Sequence, residues 1–316
     1  MIKTKKYSNL STLLPKNEPP AIKVPKELPG LPYLIGVYGC RGSGKSTFMA
    51  SNIRRYKQLM PEVEFRVFLI CPTYGSNSFL WDDIVEKEDV FEEATQDSLD
   101  EIVKRTEETA MGWKQHLQLV ELYEKFNKQM DMYLSGNGQF DNIDLTTLAA
   151  AEAAGITDMF KPEDKKRPVC VCVIDDCMNT SIFNSSTKRA NSLPNICIRH
   201  RHIGTREFGS LSIMIALQSY KSQTGVLSKA IRSNCTGIVF YGMRDEKALQ
   251  GIFEEMGREI EPEVLSAAFD YATSGNRHNA CFVIFDNGIS IRRNLDEVID
   301  LDSIRAKKSE EDLLIE

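Results

Sequence analysis

The nine residues Gly39-Cys40-Arg41-Gly42-Ser43-Gly44-Lys45-Ser46-Thr47 constrain this 316-residue chain more than any other stretch. They match the pattern G-x-x-x-x-G-K-[ST] in full, in which glycines let backbone N–H groups curl around a phosphate without Cβ collisions. The apolar run Tyr33 to Tyr38 (YLIGVY) leads into the loop, and Ser46 to Leu59 reads as a helix stopped near Pro61. A helix beginning there adds its positive end to the phosphate site. Phe65 to Cys71 (FRVFLIC) reads as a second strand, closed by Pro72 and Gly75. Strand, loop, helix and strand open a doubly wound α/β domain.

The rest of the chain fits the same class. Val169 to Ile174 (VCVCVI), Leu211 to Leu217 (LSIMIAL), Gly237 to Tyr241 (GIVFY) and Cys281 to Phe285 (CFVIF) are continuous apolar runs of the kind buried on both faces of a parallel sheet. Helices are expected between them at about 187–203, 225–233, 245–257 and 261–272. The fold class expected is α/β: a doubly wound P-loop NTPase domain with a mostly parallel central sheet of the additional-strand type and a long helical insertion. The domain spans 31–294, with the insertion at about 95–160. Within it, Leu99, Val103, Thr106, Ala110, Trp113, Leu117 and Val120 recur at alternating spacings of four and three, a heptad seam that Tyr123, Phe126, Met130 and Tyr133 extend. Residues 141–160 read as a weak Ala-rich helix. Residues 1–30 hold five prolines and scattered lysines and read as an extended basic arm outside the core. Residues 295–316 read as a charged tail, mobile or docking.

Charge narrows the partners. The net charge is −6, which argues against a generally basic coat for nucleic acid. Residues 1–60 nevertheless carry 11 Lys/Arg against 2 acids, 61–164 carry 8 against 23, and 188–232 carry 8 against Glu207 alone. The last of these is a concentrated basic segment, which reads as either a polyanion contact or a solvated face balanced by the acidic region. No run approaches the roughly 18 apolar residues of a membrane helix, so no membrane partner is expected. Eight cysteines without framework spacing point to free thiols inside a cell.

The chemistry-bearing residues follow the loop in order. Lys45 would bridge the β- and γ-phosphates and the Ser46 hydroxyl would ligate Mg²⁺. The strand at 170–174 ends in Asp175-Asp176: Asp175 would hold the metal through water, and Asp176 would act as general base on the attacking water. Gln218, ending the strand at 211–217, is placed to bond the γ-phosphate or that water. Arg199, Arg201 and Arg232 are candidates for stabilising the transferring phosphoryl group, in trans if subunits adjoin. Cys170, Cys172, Cys177, Cys197, His200 and His202 invite a zinc reading, but the sequence has no C-x₂-C pair, and Cys170 and Cys172 share one face of a buried strand.

The glycine loop, the Val-Ile-Asp-Asp strand end at 173–176, the Arg-His cluster before Ala-Leu-Gln-Ser (216–219), and Ala-Ile-Arg-Ser-Asn (230–234) stand in one order. That order resembles the poxvirus-type genome-packaging ATPases of large DNA viruses and virophages, in the FtsK–HerA superfamily, over about 31–257. The resemblance implies an ATP-driven, Mg²⁺-dependent motor that moves double-stranded viral DNA into a preformed capsid. It implies a homo-oligomeric ring, pentamer or hexamer, docked on a capsid or portal vertex protein at the viral assembly site in the host cytoplasm or associated with the virion. It assigns Mg-ATP to Lys45 and Ser46, the acids to Asp175 and Asp176, the glutamine to Gln218, and the family's arginine to Arg201 or Arg199. The segment Gly204-Thr-Arg-Glu-Phe-Gly209 departs from the family pattern just after that cluster. Two other classes share parts of the motif set: a helicase or DNA pump, and a P-loop switch or small-molecule kinase.

Overall fold

The computed structural model describes residues 22–135, 144–157, 160–183, 189–204, 210–220, 227–243, 246–256, 260–285 and 288–306. Nine strands form one sheet: β1 (Leu34–Tyr38), β2 (Val63–Ile70), β3 (Val90–Phe91), β4 (Arg167–Ile174), β5 (Leu211–Leu217), β6 (Gly237–Tyr241), β7 (Ala280–Ile284), β8 (Ser290–Arg293) and β9 (Glu297–Val298). Their order is β3-β2-β4-β5-β1-β6-β7-β8-β9. The loop strand β1 is therefore separated from β4 by an inserted strand, β5, which pairs with both in parallel. This is the additional-strand arrangement.

Strands β3 to β6 run parallel, but β7 pairs antiparallel with β6, and β8 and β9 continue that way. The expectation that 281–285 joins the parallel set is thus corrected. An apolar run buried on both faces carries no mark of its direction, because side chains alternate identically either way.

Helices are α1 (Lys45–Leu59), α2 (Tyr74–Asn77), α3 (Gln96–Leu134), α4 (Leu145–Ala153), α5 (Leu193–Arg199), α6 (Lys229–Arg232), α7 (Glu246–Met256) and α8 (Pro262–Thr273). They cover both faces. Val169, Val171 and Val173 pack toward Phe48, Met49, Ile53 and Tyr56 of α1, while Cys170, Cys172 and Ile174 pack toward α3 and α5. Burial pushes the thiols of Cys170 and Cys172 up to about 11 and about 12, so both act as small apolar groups.

The 39-residue α3 is longer than the sheet is tall: roughly 58 Å against about 26 Å for an eight-residue strand. Thr95 caps it, its hydroxyl accepting from the Ser98 N–H. Leu99, Ile102, Val103, Thr106 and Ala110 are buried on the body, and the first three join its core. The heptad seam then changes partner. Phe126, with Leu119, Leu122, Tyr123 and Met130, packs against Ala151 and Ile156, so the second half of α3 pairs with α4 as a hairpin.

The described parts of both ends rest on the body, the tail in the docked form of the two expected. Residues 22–30 lie on the body: Leu28 is buried, Arg292 donates to the carbonyls of Lys26 and Glu27, and the Tyr56 hydroxyl donates to Pro29 O. Ile299 is buried, and Leu301 and Ile304 pack on the core. The parts of the expected arm at 1–21 and tail at 307–316, and the 205–209 segment, lie outside the described residues. Among the described residues no helix is long and apolar enough to cross a membrane.

Candidate nucleotide-binding site

The loop connects β1 to α1 through two points that glycine meets and a side chain would not. Gly44, the residue before α1, has φ 110°, a left-handed value that a side chain would strain. A Cβ at Gly39 would lie 2.6 Å from Ser43 Oγ and 2.9 Å from Tyr241 Cβ, so the chain must cross that point without one. The loop is tied to β5 by the Gly39 N–H donating to Leu217 O at 3.1 Å. Lys45 folds back across it, its Nζ donating to the carbonyls of Gly39 at 2.9 Å and Cys40 at 3.0 Å. Burial lowers the Lys45 pKa, opposed chiefly by the Asp175 carboxylate.

Asp175 ends β4 with its N–H donating to Ile70 O at 2.9 Å, and only 2% of the residue is exposed. Burial raises its pKa against the hydrogen bond from Ser46, while Asp176 pushes it further up and Lys45 pulls it down. Its Oδ2 is buried with no hydrogen-bond partner, which is costly for a carboxylate unless a cation lies against it. Asp176 is exposed and has φ 52°, in the left-handed region that Asp tolerates better than longer side chains. The Gln218 N–H donates to Met178 Sδ at 3.1 Å, which ties the end of β5 to the turn after the Asp pair.

A cavity of about 630 Å³ gathers these groups: Arg41, Gly42, Gly44, Lys45, Ser46, Thr47, Asp175, Asp176 and Gln218 all line it. Thr73, Ser76 and Asn77, from the turn after β2, form its far wall. A second cavity of about 840 Å³ adjoins the loop on the α1 side. It is lined by Thr47, Phe48, Ser51, Arg54, Arg55, Gln58, Tyr241, His278 and the 294–296 turn. Its arginines are tethered, Arg54 to Asp83 at 2.6 Å and Arg55 to Leu295 O at 2.6 Å.

Of the candidate arginines, none lines the first cavity. The His200 Nδ1 bonds Leu211 O at 2.9 Å, which places Arg199 and Arg201 at the start of β5. Gln218 follows the other end of that strand, roughly 20 Å away at about 3.3 Å per residue. Arg199 bonds Asn191 Oδ1 through Nη2, and Arg201 is exposed. Neither can act on a nucleotide in its own chain. Arg232 is structural: it pairs with Glu255 at 3.1 Å, donates to Leu227 O at 2.7 Å and lies 4.7 Å from the Tyr220 ring centre. Among the described residues no group of three or more His, Cys, Asp or Glu converges as a metal site.

Two residues at the loop were not singled out in the sequence, Tyr241 and His278. Tyr241 ends β6, and the strand-end rule that finds Gln218 also reaches it. His278 precedes β7. It stands at the carboxyl edge of the parallel strands only because β7 is antiparallel, with Tyr241 opposite Ala280.

No protein-family model and no curated protein matches the chain. Solved structures that it resembles include the pCW3 conjugation coupling protein TcpA with ATPγS, at 13% identity and TM-score 0.40, covering 87% of this chain and 62% of that one. The genome packaging NTPase B204 from Sulfolobus turreted icosahedral virus 2 with ATPγS matches at 9% identity and TM-score 0.41, covering 83% of this chain and 96% of that one. The same protein with AMPPCP matches at 9% and TM-score 0.42. The chain thus spans about 62% of the length of the coupling protein. By its own strand order, glycine loop and clustered site, this chain has a P-loop NTPase fold of the additional-strand type.

Proposed function

We propose that this chain is a Mg²⁺-dependent ATPase that drives double-stranded DNA into a preformed capsid as a homo-oligomeric ring of five or six subunits. The observation that carries the catalytic half is the convergence of Lys45, Ser46, Asp175, Asp176 and Gln218 on one cavity from three separate segments of sequence. The packaging half rests on the order of the motifs over 31–257, and with it come a capsid or portal vertex partner and the viral assembly site in the host cytoplasm.

The residues fit a hard divalent cation. Asp175 presents a buried oxygen without a partner, and Ser46 sets a hydroxyl against the same carboxylate. Bound there, Mg²⁺ would neutralise charge on the terminal phosphates. Lys45, now held by the Gly39 and Cys40 carbonyls, would turn to the β- and γ-phosphates. Asp176 faces the same cavity exposed, and would take the proton from the attacking water while the Gln218 amide orients that water. With the γ-phosphate on the Asp176 side, the nucleoside would leave past Thr47 toward the second cavity, which Thr47 also lines. Arg201, exposed and remote from its own site, would serve a neighbour's, with Arg199 as the less available alternative. Basic residues of 188–232 would supply sequence-independent phosphate contact.

The test is steady-state hydrolysis with and without long duplex DNA over a series of protein concentrations, with Lys45→Ala and Asp176→Asn as controls. A rate per subunit that climbs with both supports a DNA-assembled ring. Substantial activity indifferent to both would sink the motor reading and favour a switch or kinase. Strand separation in a parallel assay would favour a helicase.

A further inference from the structure

Two consecutive carbonyls of the phosphate loop are gripped from outside it. The His278 Nδ1 lies 3.1 Å from Ser43 O, and the Tyr241 hydroxyl donates to Gly44 O at 3.0 Å. Arg277 Nε–H donates to His278 Nε2 at 3.2 Å, which leaves Nδ1 of the neutral ring as the atom carrying the proton, aimed at Ser43. The Asn276 side chain fixes the loop by accepting from the His278 N–H at 3.0 Å. In a planar trans peptide the C=O and N–H point in opposite directions. Holding Ser43 O outward therefore turns the Gly44 N–H to the other side, and holding Gly44 O does the same for the Lys45 N–H. That other side would be the concavity across which Lys45 Nζ now reaches the Gly39 and Cys40 carbonyls.

We propose that His278 and Tyr241 are positioning residues that preorganise the Gly44 and Lys45 amides for the β-phosphate, an inference that rests on the nucleotide-site reading above. Both also line the nucleotide cavities, His278 the first and second and Tyr241 the second, so the β-phosphate effect is read over and above any effect on the nucleoside. Their work is to fix two donors before the anion arrives, so that binding does not have to reorient two peptide planes.

General damage to the site would weaken every nucleotide alike. Loss of either grip should weaken ligands in proportion to whether they carry a β-phosphate. Binding of ATP, ADP and AMP would be measured by displacement of a fluorescent nucleotide from wild type, His278→Ala, His278→Gln and Tyr241→Phe, without DNA. Removing one preorganised contact of this strength should weaken ATP and ADP alike, by about tenfold in His278→Ala and about fivefold in Tyr241→Phe beyond whatever loss AMP shows. His278→Gln, whose amide can still donate to Ser43 O, should recover most of the loss. Equal weakening of AMP, or unchanged ATP and ADP, would overturn the inference. Should His278→Ala fail to fold, Tyr241→Phe and His278→Gln decide by the same comparison. Wild type that binds none of the three nucleotides would instead overturn the site reading itself, and this inference with it.

Discussion

Asp175 and Ser46 face each other at the start of the phosphate site, the hydroxyl bonded to the carboxylate while the carboxylate's Oδ2 is buried against nothing that can donate to it. Burial raises the Asp175 pKa, so the ionised form is a cost to the folded, ligand-free protein. Asp175→Asn should therefore raise the melting temperature at neutral pH by roughly 2–4 °C while abolishing Mg²⁺-dependent hydrolysis. A raised folded-state pKa means that this cost is full above it and vanishes below the ordinary carboxylate value. The gain should shrink as pH falls through that window, as melts across pH would show. An Asn variant less stable than wild type at neutral pH would contradict the account.

Asp176 combines the carboxylate proposed as general base with a left-handed backbone, φ 52°. Asn adopts that conformation readily, so Asp176→Asn should keep the wild-type melting temperature and nucleotide affinity while kcat falls at least about a hundredfold. Asp176→Glu, although it keeps the carboxylate, should cost about 1 kcal/mol of stability. Melts and single-turnover hydrolysis together separate the two effects.

The long helix α3 is fastened by one buried acid. Asp89 takes Arg66 at 2.9 Å and Arg105 at 2.8 Å, and its side chain is 2% exposed. Asp89→Ala removes the carboxylate that joins both guanidinium groups, leaving Arg105 with Glu101 and the Glu88 carbonyl and Arg66 with Thr109, and should cost about 2 kcal/mol in denaturant titrations. Glu88→Ala, whose exposed carboxylate stands 3.9 Å from Arg66, should cost less than about 0.5 kcal/mol.

The second cavity can be mapped chemically. A base-azido ATP, photolysed on the protein, should label peptides within 51–58 or 294–296, and unlabelled ATP should compete. Competed labelling confined to 73–80 would place the base on the opposite wall and refute the direction given to the nucleotide.

Arg232 and Arg201 should separate cleanly. Arg232→Ala leaves Glu255 unpaired in a half-buried setting and removes the guanidinium from Tyr220, at a cost of about 3 kcal/mol. Arg201→Ala should change stability by less than about 0.5 kcal/mol, yet flatten the rise of hydrolysis with protein concentration. A rise that survives Arg201→Ala would pass the trans role to another residue.

Much of the site was legible because its chemistry is local. Glycines at 39, 42 and 44, a lysine and hydroxyl after them, and acids after an apolar strand declare themselves without knowledge of any partner. Gln218 was legible through a rule about strand ends rather than through its own neighbours. The arginines were not, because a guanidinium can serve a fold or a phosphate with the same residue type. Arg232 is held by Glu255 and Tyr220, and Arg199 and Arg201 stand at the wrong end of β5 for their own site. Similarly the heptad seam of α3 described an apolar stripe but not that it leaves the sheet near Ala110 for α4.

Sequence alone determined the phosphate loop and the strands that run into Asp175 and Gln218. Each of those features is a short-range demand of backbone conformation or charge burial. Tertiary structure alone decided the direction of β7, and with it the arrival of His278 and Arg277 beside Ser43. A strand buried on both faces reads the same in either direction. Its orientation is set by which neighbour its hydrogen bonds reach, Tyr241 opposite Ala280.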